Sequence, residues 1–297
     1  MKKLLTITVA ASLLLGACSQ YEKTPTGMPY KITKGPRKQK IAQGDFIKMN
    51  FEYKLKDSLI AGTFGHIPIY LSVDTLRKGR YNFSEVITDC YIGDKMTFTM
   101  SIDSMVKNNV VAYNNVFKKG DFITGKVEYL KKFADQAEQE KDFNQEVEAQ
   151  KQREKKEVKD YAAKNKYKAI YTENGVGVVI EKEGTDTIKP QNGQVISVYY
   201  TGKLMSNGKE FDGNVKDGKP VGKAFSFPLG SGSVIAGWDE GLRLFTTGSK
   251  GKLLIPASLA YGMMGSPPVI PTFANLVFDV EVVSIKDKAA LEPIEKK

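Results

Sequence analysis

The central stretch of the chain, residues 131–160, limits what the protein can fold into: it holds eight Lys/Arg and nine Asp/Glu and neither glycine nor proline. Mixed charge without a breaker predicts a long helix laced by side-chain pairs one turn apart. Its apolar stripe is thin, consisting of Phe133, Ala137, Phe143, Val147 and Val158. Because the heptad positions are repeatedly polar, residues 131–167 read as a solvated helical linker, with a homodimer through this helix as the alternative. A segment of this kind divides the chain into two parts.

Short alternating runs recur on both sides. Ile47, Met49 and Phe51 alternate with Lys48, Asn50 and Glu52, followed by residues 96–100 and 122–130. Beyond the linker come residues 176–180, 195–200, 252–255 and 276–285. Period-two alternation predicts half-buried strands. In the last run Leu276, Phe278, Val280 and Val282 fall on one face and Asp279 and Glu281 on the other, which predicts one core face and one solvent face. The fold class expected is α+β, with strand-rich domains at 41–130 and 168–287 and a short tail at 288–297. Residues 19–40, with Pro25, Pro29, Pro36 and many lysines, read as a flexible tether.

Composition narrows the chemistry. One histidine and two cysteines leave no His-rich zinc site and no disulfide framework, and disfavour Ser/His/Asp or Cys/His catalysis. No metal and no cofactor are expected. The formal charge is +10, and the excess is mostly N-terminal: residues 18–130 hold 17 Lys/Arg against 11 Asp/Glu, residues 161–297 hold 17 against 14. No basic and aromatic ladder accompanies it, so a solvated stretch near an anionic membrane is expected and nucleic acid is not.

The first 18 residues read as an export signal. Lys2 and Lys3 precede an apolar run from Leu4 to Leu15, and Leu15-Gly16-Ala17-Cys18 closes it. That tetrad resembles a bacterial lipobox. The resemblance implies cleavage before Cys18 and lipidation of its thiol, anchoring the mature chain to a membrane by acyl chains. Ser19 in place of an acid implies the outer membrane, facing the periplasm. Cys90 then remains as a lone thiol, expected to be a buried small hydrophobe.

The second strand-rich part carries the most specific signal. In order, it contains VYYTG (198–202), GKEFD (208–212), FPLGSGSVIAGWDEGL (227–242), KLLIP (252–256), AYG (260–262), VIP (269–271) and NLVFDVEVV (275–283). These blocks resemble the FKBP-type peptidyl-prolyl cis-trans isomerases over residues 168–287. The resemblance implies an antiparallel sheet wrapped around one short helix, with an apolar pocket between them. It implies Trp238 as the pocket floor, with Tyr200, Phe211, Phe225, Val234, Ile235, Ile270 and Phe278 lining it. The Ile235 N–H and the Tyr261 hydroxyl are implied donors to substrate carbonyls, and Asp212 a polar group in the wall. Residues 213–224 are longer than in compact members and contain no arginine, so Lys216 or Lys219 is the expected partner of Asp212. The helix that Trp238 opens is expected to close at Gly248.

The first strand-rich part resembles the second. Residues 44–51 match 193–200, and 83–93 align without gaps on 238–248. In this register Phe83 replaces Trp238, Phe51 replaces Tyr200, Gly125 replaces Phe278, and Phe64-Gly65 replaces Phe211-Asp212. That reads as a degenerate FKBP-like domain retained for binding or spacing. The expected function is isomerisation of unfolded or flexible X-Pro polypeptides, assisting the folding of exported proteins in the cell envelope. The alternative is a non-catalytic chaperone or scaffold built on FKBP folds.

Overall fold

The computed structural model describes residues 21–36, 38–73, 81–266 and 269–287. The export signal with Cys18, and the tail at 288–297, lie outside the described residues.

The first part of the chain contributes β1 (Glu22–Lys23), β2 (Pro29–Thr33), β3 (Phe46–Leu55), β4 (Ser58–Gly62), β5 (Ile69–Ser72), β6 (Lys95–Ser101), the helix α1 (Ile102–Lys107) and β7 (Phe122–Phe133). Then comes α2 (Gln136–Lys164). The second part contributes β8 (Ile170–Tyr171), β9 (Gly177–Lys182), β10 (Val195–Leu204), β11 (Glu210–Gly213), β12 (Val215–Lys216), β13 (Lys219–Pro220), β14 (Phe225–Pro228), the helix α3 (Ala236–Gly241), β15 (Lys250–Ile255) and β16 (Leu276–Lys286).

Two seven-stranded sheets form, ordered β1-β2-β6-β7-β3-β4 with β5 on β3, and β8-β9-β15-β16-β10-β11 with β14 on β10. The order is the same in both, as is the antiparallel pairing. The irregularities coincide too. Between β3 and β7 the partner jumps from Lys131 to Tyr129 after Lys48, and between β10 and β16 it jumps from Ser284 to Val282 after Ser197. A bulge at one position in a long strand pair sets where the strand bends and which side chains turn inward. Gly93 and Gly248 also correspond: φ is +91° and +83°, and their N–H groups donate to Tyr129 O and Val282 O at 2.8 Å each. A side chain at either position would be strained.

This register corrects one expectation. Glu52 pairs with Gly62 and Tyr53 with Ala61, as Thr201 pairs with Gly213 and Gly202 with Asp212. Ile60-Ala61, not Phe64-Gly65, therefore stands at the position of Phe211-Asp212. Thr63 accepts the Phe51 N–H at 3.1 Å, as Asn214 accepts that of Tyr200 at 2.7 Å.

The supposed tether at 19–40 is also corrected, because residues 22–33 supply two strands. Met28 is fully buried and Tyr30 is 5% exposed, and β2 pairs with β6 from Tyr30↔Phe98 to Thr33↔Lys95. Pro25 sits at a turn and Pro29 at the first position of β2, where a missing N–H does no harm. Cys90 is fully buried.

Strand β7 runs through Phe133, so α2 begins five residues later than the charge pattern suggested. Asp135 caps it, accepting the Glu138 N–H at 2.8 Å. The helix is not solvated all round. Its first half lies on the first sheet, where Lys48 reaches Asp142 (2.7 Å) and Glu146 (2.8 Å) and Tyr70 donates to Asp142. Its second half lies on the second sheet, Val158 and Ala162 packing against Val179, Leu254 and Val277. The face of β16 expected to meet solvent is thus covered in part by α2. Asp279, on that face, is paired with Lys203 (3.0 Å) and with Lys252. The helix opened by Trp238 ends sooner than expected: α3 stops at Gly241 and one tighter turn follows to Leu244. Gly248 closes the turn into β15 instead.

Candidate functional site

The site begins from a single indole. Trp238 lies in α3 and is 4% exposed. Tyr200 on β10 and Phe278 on β16 meet it edge-on, centroids 4.9 and 5.1 Å away with rings crossed at 87° in both cases. From β14, Phe225 and Phe227 approach to 6.2 and 5.7 Å. Edge-to-face packing directs the positive ring edges at the negative faces and adds to the gain from burial. Among the described residues the buried indole N–H has no hydrogen-bond partner, and the side chains packed against the indole here are aromatic rings.

A glycine allows the wall to close. Gly202 sits opposite Phe278 in the sheet, and a Cβ there would come within 2.7 Å of the Phe278 ring and 2.9 Å of Phe211. In the first domain the same pair is inverted: Tyr53 stands at the glycine position, opposite Gly125. A Cβ at Gly125 would lie 2.1 Å from the Phe98 ring. Tyr53 contacts Phe98 and Phe51 at 5.9 and 5.1 Å, and Phe83 lies 5.9 Å from Phe98. Rings from the strands fill that space, and burial raises the Tyr53 pKa to about 12.

The open side of the second-domain cavity is polar. Asp212 on β11 accepts the Tyr200 hydroxyl at 2.8 Å and the Gly213 N–H at 2.8 Å. Burial first, and then the bond to Asp212, holds the Tyr200 phenol well above its usual range. Tyr261 is raised likewise, by burial and then by the Asp212 charge. Both hydroxyls keep their protons at neutral pH. Ile235 caps α3, its carbonyl accepting the backbone N–H of Trp238 at 2.9 Å.

Tyr200, Phe211, Asp212, Phe225, Val234, Ile235, Trp238, Tyr261 and Phe278 line one cavity of about 180 Å³. That is below the roughly 300–1,000 Å³ of sites for drug-sized ligands, and its scale suits one small ring. Ile270 does not line it; it is 4% exposed and belongs to the core beside it. Ser233 lines it and was not anticipated. Its signal was its place immediately before Val234, in a loop held by Asp239, which accepts the Gly230 and Gly232 N–H groups at 2.7 and 3.3 Å. Among the described residues no lysine or arginine pairs with Asp212. Lys216 and Lys219 are instead in the small hairpin β12–β13, and the tyrosine hydroxyl takes the place expected for a cation.

Comparison with known proteins bears on this cavity. The family model for the FKBP-type peptidyl-prolyl cis-trans isomerases matches residues 186–283. The peptidyl-prolyl cis-trans isomerase FPR2 of Saccharomyces cerevisiae is 48% identical over 102 residues, 34% of this chain and 73% of its own length. This chain belongs to the FKBP-type peptidyl-prolyl cis-trans isomerases. The human peptidyl-prolyl cis-trans isomerase FKBP2 is 46% identical over 104 residues, 35% of this chain and 70% of its own. A solved peptidyl-prolyl isomerase of Pseudomonas syringae pv. tomato is 30% identical, covering 48% of this chain and 96% of its own, with a TM-score of 0.39.

An FKBP-type isomerase must lower a rotation barrier of roughly 18–20 kcal/mol set by amide resonance. The planar amide is the more polar state and the twisted one the less polar. A dry aromatic cavity therefore favours the twisted state relative to water, and fixed donors at its mouth can hold the flanking carbonyls while the bond turns. No nucleophile takes part in such a rotation, which accords with a site built of rings, two phenols and one carboxylate.

Proposed function

We propose that the Trp238 cavity is the isomerisation site, that it receives the prolyl ring of unfolded or flexible X-Pro segments, and that the protein does this as a lipid-anchored folding catalyst of the bacterial cell envelope. The observation that carries the site assignment is the Tyr200–Asp212 pair at the mouth of an otherwise aromatic cavity. In this reading Trp238 is the floor, and Tyr200, Phe211, Phe225, Val234 and Phe278 form the walls. The Tyr261 hydroxyl and Ile235 N–H hold the substrate carbonyls. Asp212 orients Tyr200 and supplies the negative edge, and Ile270 backs the wall from the core.

The test is cis-to-trans isomerisation of Xaa-Pro peptides by the chain starting at Ser19. Asp212→Ala is expected to lower kcat/KM about tenfold, the equivalent of one charge-assisted hydrogen bond of about 1.5 kcal/mol. The same substitution should let the Tyr200 phenol titrate at lower pH, since burial then acts without the carboxylate; NMR of ring-labelled tyrosine reads this directly. Unchanged catalysis in Asp212→Ala and Tyr261→Phe would remove the cavity from the mechanism.

The first domain is, in this reading, a degenerate FKBP-like repeat that does not catalyse. The shared strand order and bulge position support common ancestry, and the ring-filled space around Tyr53, Phe83 and Phe98 supports loss of the pocket. The anchor rests on the sequence around Cys18. Labelling cells with a fatty acid should mark the wild-type protein and not Cys18→Ala, and that variant should leave the membrane fraction. Membrane retention of an unlabelled Cys18→Ala protein would replace the lipid by another anchor.

A further inference from the structure

The loop between β15 and β16 brings Tyr261 to the cavity, yet much of what holds its two ends comes from outside its own sheet. Where the loop leaves β15, Ala257 N–H donates to Asn275 Oδ1 at 2.8 Å and Ser258 N–H donates to Glu154 Oε2 on α2 at 2.8 Å. Where it returns, Asn275 Nδ2 donates to Glu157 at 2.6 Å. Phe273, at φ +56°, closes the loop by donating its N–H to Gly262 O at 2.8 Å. Gly262 is the residue after Tyr261.

Phe273 in turn lies against the first domain. Its ring stacks on the imidazole of His66, centroids 4.4 Å apart and planes 5° from parallel. Ile67 beside it is buried with Ala257 and Phe273. Gln150 lies 3.3 Å from His66 Nδ1 and donates to Glu154 at 2.8 Å. Gln150 and Glu154 are 4% and 1% exposed. A carboxylate so deeply buried is costly unless its oxygens are bonded, and here one oxygen takes Gln150 and the other the loop backbone. A left-handed phenylalanine persists only where its surroundings over-determine it. The chain from His66 through Gln150 and Glu154 to Ser258, and the stack from His66 to Phe273, grip both ends of one loop.

We propose that His66, together with Glu154 and Glu157, positions the Tyr261 loop of the isomerase site, so that the first domain and α2 serve as a brace for catalysis in the second domain. The first domain then contributes to the reaction without a pocket of its own. This rests on the reading of Tyr261 as a substrate-contacting group.

The experiment is a double-mutant cycle in the full chain, with kcat/KM for an Xaa-Pro peptide as readout and Trp238 emission as the check that the second domain is folded. His66→Ala is expected to lower kcat/KM about tenfold, the scale of a sub-ångström to ångström misplacement of a reacting group. His66→Phe, which keeps the stacked ring, should recover most of it. Combining His66→Ala with Tyr261→Phe should lower activity no further than Tyr261→Phe alone, because both remove one function. Glu157→Ala, a change at an exposed side chain, should reproduce part of the loss if His66→Ala fails to fold. Wild-type activity in His66→Ala, equal losses in His66→Ala and His66→Phe, or strict additivity with Tyr261→Phe would overturn the proposal. A silent Tyr261→Phe beside an impaired His66→Ala would instead reject the assigned role of Tyr261, leaving the brace to act on the loop's other residues.

Discussion

Replacing Trp238 with alanine is expected to lower stability by about 3–5 kcal/mol, as for other large-to-small substitutions of buried aromatics, and to remove measurable catalysis. The indole is 4% exposed and touches four rings, so its loss opens a hole that the surrounding strands can only partly close. It also floors the cavity, so a prolyl ring would lose the apolar surface against which the twisted amide is favoured. Urea unfolding followed by far-ultraviolet circular dichroism gives the stability change, and the Xaa-Pro peptide assay gives the activity. Trp238→Phe should recover much of the stability while remaining impaired in turnover. Full activity in the alanine variant would place catalysis elsewhere.

The second large effect belongs to the first domain. Gly125→Phe should destabilise it by about 3 kcal/mol, the upper end of what overpacking commonly costs. A Cβ alone would lie 2.1 Å from the Phe98 ring, and Phe98 is 2% exposed with little freedom to move. The second domain shows how the same sheet accommodates a ring there: Phe278 stands opposite Gly202 and next to Leu253. Adding Tyr53→Gly and Phe98→Leu to Gly125→Phe should therefore restore at least half of the lost stability, a non-additive outcome between contacting residues. Thermal unfolding of the three single variants and the triple variant measures it. A triple variant as unstable as the sum of its parts would mean that the two sheets pack by different rules.

Much of this was legible in the sequence, for identifiable reasons. The inward face of β16 followed from strict alternation, and nine of the ten anticipated cavity residues came together because seven separated blocks fix both strand register and loop ends. The failures share another cause. The tether expected at 19–40 fails because prolines and lysines mask the two strands within 22–33, where the core residues, Met28 and Tyr30, are few. The brace from α2 was invisible because its contacting residues, Gln150, Glu154 and Glu157, are polar; burial of a carboxylate depends on partners more than 100 positions away, such as Ser258. The Ile60-Ala61 equivalence was missed because β4 is short and exposed, leaving no hydrophobic pattern to set its register.

The chain contains one tryptophan and 14 tyrosines. Light absorbed by the phenols and passed on to an indole can reach only one acceptor, and that acceptor is the cavity floor. The protein's indole emission therefore reports a single place, with no other tryptophan to contribute background. A bound ring that displaces solvent from the indole face should alter its intensity and colour. Occupancy of the cavity can in this way be followed in the unlabelled protein, by a residue that lines it.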